Sequence, residues 1–182
     1  ALGAITVLAV DKTGTLTQNR MRVTALVGAD GTLENTSADA VDPLPQVTVD
    51  LVECALLATP PDPFDPMETA ILAIGDRLDG ARRMHPDWTL QRAYALSSQT
   101  LATTRAYTVP GESGHRVATK GAPETIVALC KLPEKSAAAI LNQAAGLAAR
   151  GLRVLGVARG NWDGTTWPER QQDFAFDFVG LL

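Results

Sequence analysis

Residues 5–17 read Ile5-Thr6-Val7-Leu8-Ala9-Val10 and then Asp11-Lys12-Thr13-Gly14-Thr15-Leu16-Thr17. An unbroken apolar run of this length, cut off by a polar, glycine-containing segment, predicts a strand buried on both faces and a loop at its carboxyl end. Asp11 is the first residue of that loop. In open α/β sheets, ligands bind just outside the carboxyl ends of strands. A carboxylate placed there can attack phosphorus and carry an aspartyl phosphate. The charge in that transfer needs neutralising, which Lys12 and a Mg²⁺ ion could supply. Thr13, Gly14 and Thr15 offer hydroxyls and open backbone amides to phosphate oxygens. The competing reading of these residues alone is an Asp-Lys-Thr-Gly turn closing a strand.

Working outward, Arg20 to Val27 alternates and predicts a strand, and a second short strand is expected around Leu33. Val47 to Ala58 predicts a helix with Val47, Leu51, Cys54, Ala55 and Ala58 on one face. A proline-rich loop leads to a second helix, with Asp65 as N-cap, Pro66 at its first position, and Met67, Ile71, Ile74 and Leu78 along one side. Trp88 to Leu96 and Thr103 to Val109 predict strands, and His115 to Thr119 returns as the hairpin partner of the latter across a Pro-Gly turn. Ala122 to Cys130 and Pro133 to Arg150 predict helices. The second carries Ala137, Ile140, Leu141, Ala144 and Ala148 on one face and stops at Gly151. Leu152 to Arg159 reads as a strand, and Phe174 to Leu182 is again apolar.

The chain's 182 residues, 46% hydrophobic and 20% charged, have the composition of an ordinary globular protein. No run of about 18 apolar residues is present, so no membrane-inserted segment is expected. Cys54 and Cys130 have no metal-ligand spacing and suit burial as small hydrophobes in a reducing compartment. A net charge of −4 argues against nucleic acid as a partner. That figure conceals an asymmetry. No Lys or Arg falls between Arg22 and Arg77, whereas Arg77 to Gly160 holds twelve bases against five acids. A cationic half suits a small anion, against the plainer reading of solvated surface charge.

The string from Asp11 to Thr17 resembles the phosphorylation motif of the P-type ATPases, cation pumps built on a haloacid-dehalogenase-like catalytic domain, at all seven positions. Related phosphatases carry a second aspartate two residues after the nucleophile as general acid and base. Here Thr13 stands in that place, so water attack on the acyl phosphate should be slow. Lys120-Gly121-Ala122-Pro123-Glu124 is similar to the lysine-bearing motif of the same family's nucleotide-binding domain. On their own these residues form a strand-to-helix connection, with a point charge at Lys120, a glycine that permits close backbone approach, and a helix N-terminus. Asp65-Pro66-Met67-Glu68 resembles the family's segment before an adenine-contacting glutamate, which would be Glu68. The same residue also sits where a capping box would place it. Gly151-Leu152-Arg153-Val154-Leu155 resembles the segment whose arginine reaches the nucleotide phosphates, which would be Arg153.

Two departures stand out. The family's adenine-stacking phenylalanine falls on Leu96, with Tyr94 two residues earlier and, on a continuous strand, on the same face. The position of the family's additional pocket lysine falls near Leu101, where this chain has no lysine. Weak ATP binding is therefore expected, with a dissociation constant in the high micromolar range or above.

The resemblance implies an α/β (α+β) fold, with a twisted, mostly antiparallel sheet and flanking helices. Residues 1–18 would belong to the phosphorylation domain and 19–182 to the nucleotide-binding domain. It implies ATP and Mg²⁺ as cofactors, Asp11 and Lys12 as catalytic residues, and Asp11 and Thr13 as metal ligands. Glu68, Tyr94 or Leu96, Lys120, Gly121, Ala122 and Arg153 would form the nucleotide site. The partners implied are the phosphorylation, actuator and transmembrane domains of a parent pump, and the place is the cytoplasmic face of its membrane. The TGD-type and GDG-type segments that complete the Mg²⁺ site lie further along in the family, so this stretch is expected to bind nucleotide without turnover. The similarity leans towards calcium- or magnesium-type pumps. The rival readings are a haloacid-dehalogenase-like phosphatase, disfavoured by Thr13, and a non-catalytic nucleotide-sensing module.

Overall fold

The computed structural model describes residues 20–36, 44–79 and 85–182. The strand before Asp11 and the motif Asp11 to Thr17 lie outside the described residues. A single seven-stranded antiparallel sheet organises the remainder. Its strands are β1 (Ala25–Gly28), β2 (Leu33–Asn35), β3 (Thr89–Tyr94), β4 (Ala102–Thr108), β5 (His115–Gly121), β6 (Gly156–Trp162) and β7 (Asp177–Leu181). They lie in the order β2-β1-β7-β6-β5-β4-β3. The helices are α1 (Gln46–Leu57), α2 (Pro66–Gly75), α3 (Pro123–Leu129) and α4 (Glu134–Ala149). The α+β architecture with an antiparallel sheet is as the resemblance implies.

Period-two alternation sends neighbouring side chains to opposite faces, and helices cover both. On β1, Leu26 joins Leu51, Val52, Ile71, Ile74, Ala118 and Val157 beneath α1 and α2. Its neighbours Ala25 and Val27 pack instead with Ala144, Leu147 and Leu181 beneath α4. Farther along that second face, Ile126 and Leu129 of α3 meet Val117, Ala158, Phe174 and Phe176. Strands buried on both sides read as unbroken apolar runs, which is why β1 shows little alternation. On α4 the buried stripe runs through Ala144 and Leu147, and Ala148 is exposed. A period of 3.6 brings residue 147, not 148, back to the line of 140 and 144.

Several boundaries differ from expectation. The strand predicted from Arg20 begins only at Ala25, and that predicted from Leu152 begins at Gly156. β3 ends at Tyr94, two residues short of Leu96. The helix stop at Gly151 is as expected, with φ +82° in the left-handed region where glycine carries no steric penalty. Among the described residues, no helix is long and apolar enough to cross a membrane.

Candidate nucleotide site

Helix α2 is started by its own sequence. Asp65 Oδ1 accepts hydrogen bonds from the backbone amides of Met67 (2.7 Å) and Glu68 (3.3 Å), and Pro66 occupies the first turn. That cap fixes the direction of Glu68, whose Oε1 accepts a hydrogen bond from Lys120 Nζ at 2.7 Å. Lys120 Nζ also donates to the carbonyl of Ala58, at the end of α1, at 3.0 Å. Lys120 keeps 5% exposure and Glu68 22%. Burial holds the Lys120 ammonium below its ordinary pKa, opposed by the hydrogen bond and charge of Glu68 and reinforced by the nearby Arg105.

Register explains why these groups meet. Lys120 pairs with Thr103 and Ala118 with Arg105, so Lys120 and Arg105 share the sheet face covered by α1. Arg105 Nε donates to the Tyr107 hydroxyl (2.9 Å), which donates to the Leu57 carbonyl (2.7 Å). Sequence reasoning missed Arg105. Its signal is the odd-even alternation of β4 read against the lysine across the ladder.

Tyr94 is not brought to Lys120. It pairs with Thr104, whose side chain lies on the opposite face. There Tyr94 is buried edge-on against Phe174, with centroids 5.4 Å apart at 85°, and its hydroxyl donates to the Pro168 carbonyl at 2.7 Å. The same-face inference linking Tyr94 to Leu96 fails because the strand ends at Tyr94. Leu96 stands in the following loop, 61% exposed, and Leu101 in the same loop is 48% exposed. Gln171 and Gln172 hold that loop from behind. Gln171 Nε2 donates to the carbonyls of Ala95 (3.3 Å) and Ala102 (3.0 Å), and Gln172 Nε2 donates to Thr100 Oγ1 (2.7 Å). Both glutamines lie in a stretch with no periodic signal, so nothing in the sequence pointed to them.

Gly121 and Ala122 serve the fold first. A Cβ on Gly121 would lie 2.2 Å from the Leu101 carbonyl oxygen and 2.6 Å from Ala102 Cα, so the glycine admits the chain's own backbone. The Ala122 amide donates to that same Leu101 carbonyl at 2.9 Å. The α3 N-terminus follows at Pro123 and spans only 7 residues.

Arg153 is exposed in the loop before β6 and lines a cavity of about 620 Å³. Arg20 and Arg22 line it too, as do Asp65, Pro66 and Met67 from the start of α2. Thus Met67 faces an arginine-lined cavity and Glu68, the next residue, meets the buried lysine. Three guanidinium groups around one hollow suit a polyanion. Among the described residues no cluster of His, Cys, Asp or Glu could hold a metal ion. Both cysteines are free, and burial pushes the thiols of Cys54 and Cys130 up to about 12.

Comparison with known proteins supplies the family. The profile of the P-type ATPase cytoplasmic domain N matches residues 64–179. The chain belongs to the P-type ATPase family. The chain is 32% identical to a probable cation-transporting ATPase I of Mycobacterium tuberculosis, over 98% of the chain and 12% of that relative. Its counterpart in Mycobacterium leprae is 32% identical over 95% of the chain and 11% of the relative. A probable cation-transporting P-type ATPase of Mycoplasma genitalium is 29% identical over 86% of the chain and 17% of the relative. The chain therefore spans roughly an eighth of the length of the mycobacterial proteins it matches.

Proposed function

We propose that this N domain binds ATP, with the adenine against Glu68, Lys120 and Leu96 and the phosphates towards Arg153. The observation that carries the reading is the start of α2, where successive residues face a buried ion pair and an arginine-lined cavity. The exposed Leu96 and Leu101 offer apolar cover to a base, though without aromatic stacking. Arg20 and Arg22 extend the cationic wall, and Gly121 and Ala122 shape the floor through their contacts with Leu101. Tyr94 lies on the far face, packed against Phe174 and outside the proposed pocket.

In the intact pump, an Asp11 carboxylate oxygen attacks the γ-phosphorus, the bond to the β–γ bridging oxygen breaks, and ADP leaves. Lys12 steadies the charge on the transferring group. Mg²⁺ held at Asp11 and Thr13 would supply further neutralisation. Domain closure brings the N domain's nucleotide to Asp11, with residues 1–18 as part of the phosphorylation domain and 19–182 as the N domain. Thr13 in place of a second aspartate keeps the acyl phosphate from rapid hydrolysis, so its energy can drive cation transport from the cytoplasmic face.

Acid-stable labelling of the full-length pump by [γ-³²P]ATP tests this reading. Label on the unmodified protein, lost in Asp11→Asn, is the expected result. Undiminished label in Asp11→Asn would refute the nucleophile. Calorimetric titration of the chain with ATP should give a dissociation constant in the high micromolar range or weaker, and sub-micromolar binding would contradict the departures at positions 96 and 101.

A further inference from the structure

We propose that Gln171 and Gln172 are positioning residues that clasp the loop between β3 and β4 from the sheet face opposite Lys120, and so set where Leu96 and Leu101 stand. The inference rests on the nucleotide-binding reading above, in which those two leucines cover the base. It assigns control of their loop to a distant part of the chain, the connection between β6 and β7.

Burial does not fix this loop, because its two leucines are exposed. Inside it, the Ser97 amide donates to the Thr100 carbonyl and the Thr100 amide to Ser97 Oγ, each at 3.1 Å. That exchange shapes a local turn and leaves the loop's place on the sheet to other contacts. In front, the Ala122 amide holds the Leu101 carbonyl at 2.9 Å.

Behind, Gln171 supplies the tie. It begins a single 3₁₀ turn, Gln171–Asp173, between β6 and β7. One side-chain amide reaches both ends of the loop, through the carbonyls of Ala95 at 3.3 Å and Ala102 at 3.0 Å. Its Oε1 accepts a hydrogen bond from Thr104 Oγ1 at 2.7 Å. A primary amide has two N–H donors, and both are engaged. Its orientation is therefore fixed, since the reverse would set an oxygen against two carbonyl oxygens. Gln171 and Thr104 are both buried, where a polar network rigidifies its surroundings when every member is satisfied. Gln172 adds a further point of attachment, with Nε2 donating to Thr100 Oγ1 at 2.7 Å. An apolar side chain of similar length would fill the space of Gln171 without needing partners. What the amide adds is the placement of the loop.

Gln171→Glu tests this. It keeps the size of the side chain and the acceptor for Thr104, but loses the amide donors. Ionised, it sets a carboxylate against two carbonyls. Protonated, its O–H again donates to one of them. Burial raises the pKa of such a carboxyl and brings the change into a usable range. Adenosine and ATP are titrated by NMR into the unmodified chain and into Gln171→Glu, from about pH 9 to about pH 5. Amide spectra of each free chain confirm the fold. The ratio of the two dissociation constants is taken at each pH, so that ionisation of the ligand cancels. The charged residues of the same turn, Arg170 and Asp173, pair with each other at 3.4 Å and are common to both chains.

Positioning predicts about tenfold weaker binding of both ligands by Gln171→Glu at the alkaline end, as for two lost hydrogen bonds, with recovery as the carboxyl takes up its proton. A ratio near one throughout, or a loss that does not respond to pH, would overturn the inference and leave nucleotide binding intact. So would a loss seen with ATP and absent with adenosine, which is repulsion of phosphate by the new charge. Failure of the unmodified chain to bind either ligand would instead overturn the nucleotide reading. If Gln171→Glu does not fold, Gln172→Ala at the exposed neighbouring position decides. About threefold weaker binding at an unchanged unfolding midpoint supports the clasp, and unchanged binding refutes it.

Discussion

Lys120 and Arg116 stand four residues apart on β5 and point to the same side of the sheet, about 13 Å from each other. Each pairs with a glutamate at 2.7 Å. Their surroundings make them different objects. Lys120 and Glu68 are 5% and 22% exposed, and the carboxylate comes from a separate helix. Arg116 and Glu112 are 47% and 41% exposed, and the partner is four residues away in the same hairpin. An equal closest approach therefore has unequal consequences. An exposed pair exchanges protein for water at little gain, whereas a buried charge that loses its partner has nowhere to go. The buried pair lies beside the candidate nucleotide site, and the exposed pair lies at the other end of the strand.

Removing the buried carboxylate should have the largest effect. Glu68→Ala orphans the Lys120 ammonium and should cost about 3 kcal/mol in urea unfolding. Adding Lys120→Met to that variant should return most of the loss, and additive losses would mean the pair is not a unit. Next comes Gly121→Ala. Its Cβ would press on the backbone at Leu101 and Ala102, which cannot yield as a flexible side chain does, and about 2 kcal/mol should be lost.

A smaller signature lies in pH. Burial lowers the Lys120 pKa from its usual 10.5, so the unfolded chain binds this proton more tightly than the folded one. Stability contributed by this group should rise with pH between the lowered value and 10.5. The unmodified chain should show that slope relative to Lys120→Met, and parallel profiles would contradict it. Smallest of all, Arg116→Ala should leave the unfolding midpoint within its scatter even though it breaks a 2.7 Å contact. A clear drop there would erase the distinction between the two ends of β5.

The same contrast separates what was legible in the sequence from what was not. Local signals held up well. Asp65 and Pro66 start α2, Gly151 stops α4, and the hairpin of β4 and β5 forms where its turn residues lie. Glu68 and Lys120 could be named as candidates from short strings, but their contact spans 52 residues, a separation that no periodicity encodes. Tyr94 went to the wrong face because its partnership with Leu96 assumed a strand that stops at Tyr94. Arg105 becomes visible only once the β4–β5 register is known, and Gln171 only once the loop at Ala95 and Ala102 is seen against it. Arg20 and Arg22 read as strand residues but line the cavity with Arg153 because β1 begins later. Asp11, Lys12 and Thr13 lie outside the described residues, so their roles rest on the motif alone.

The most direct test of nucleotide binding at the Lys120 end is an amide NMR map of the chain during titration with ATP. Shifts should concentrate at Met67 and Glu68, in the loop from Leu96 to Leu101, at Lys120 to Ala122 and around Arg153, with Glu112 to Val117 unmoved. No saturable shifts, or shifts centred on Arg116 and Glu112, would contradict the assignment of the nucleotide site.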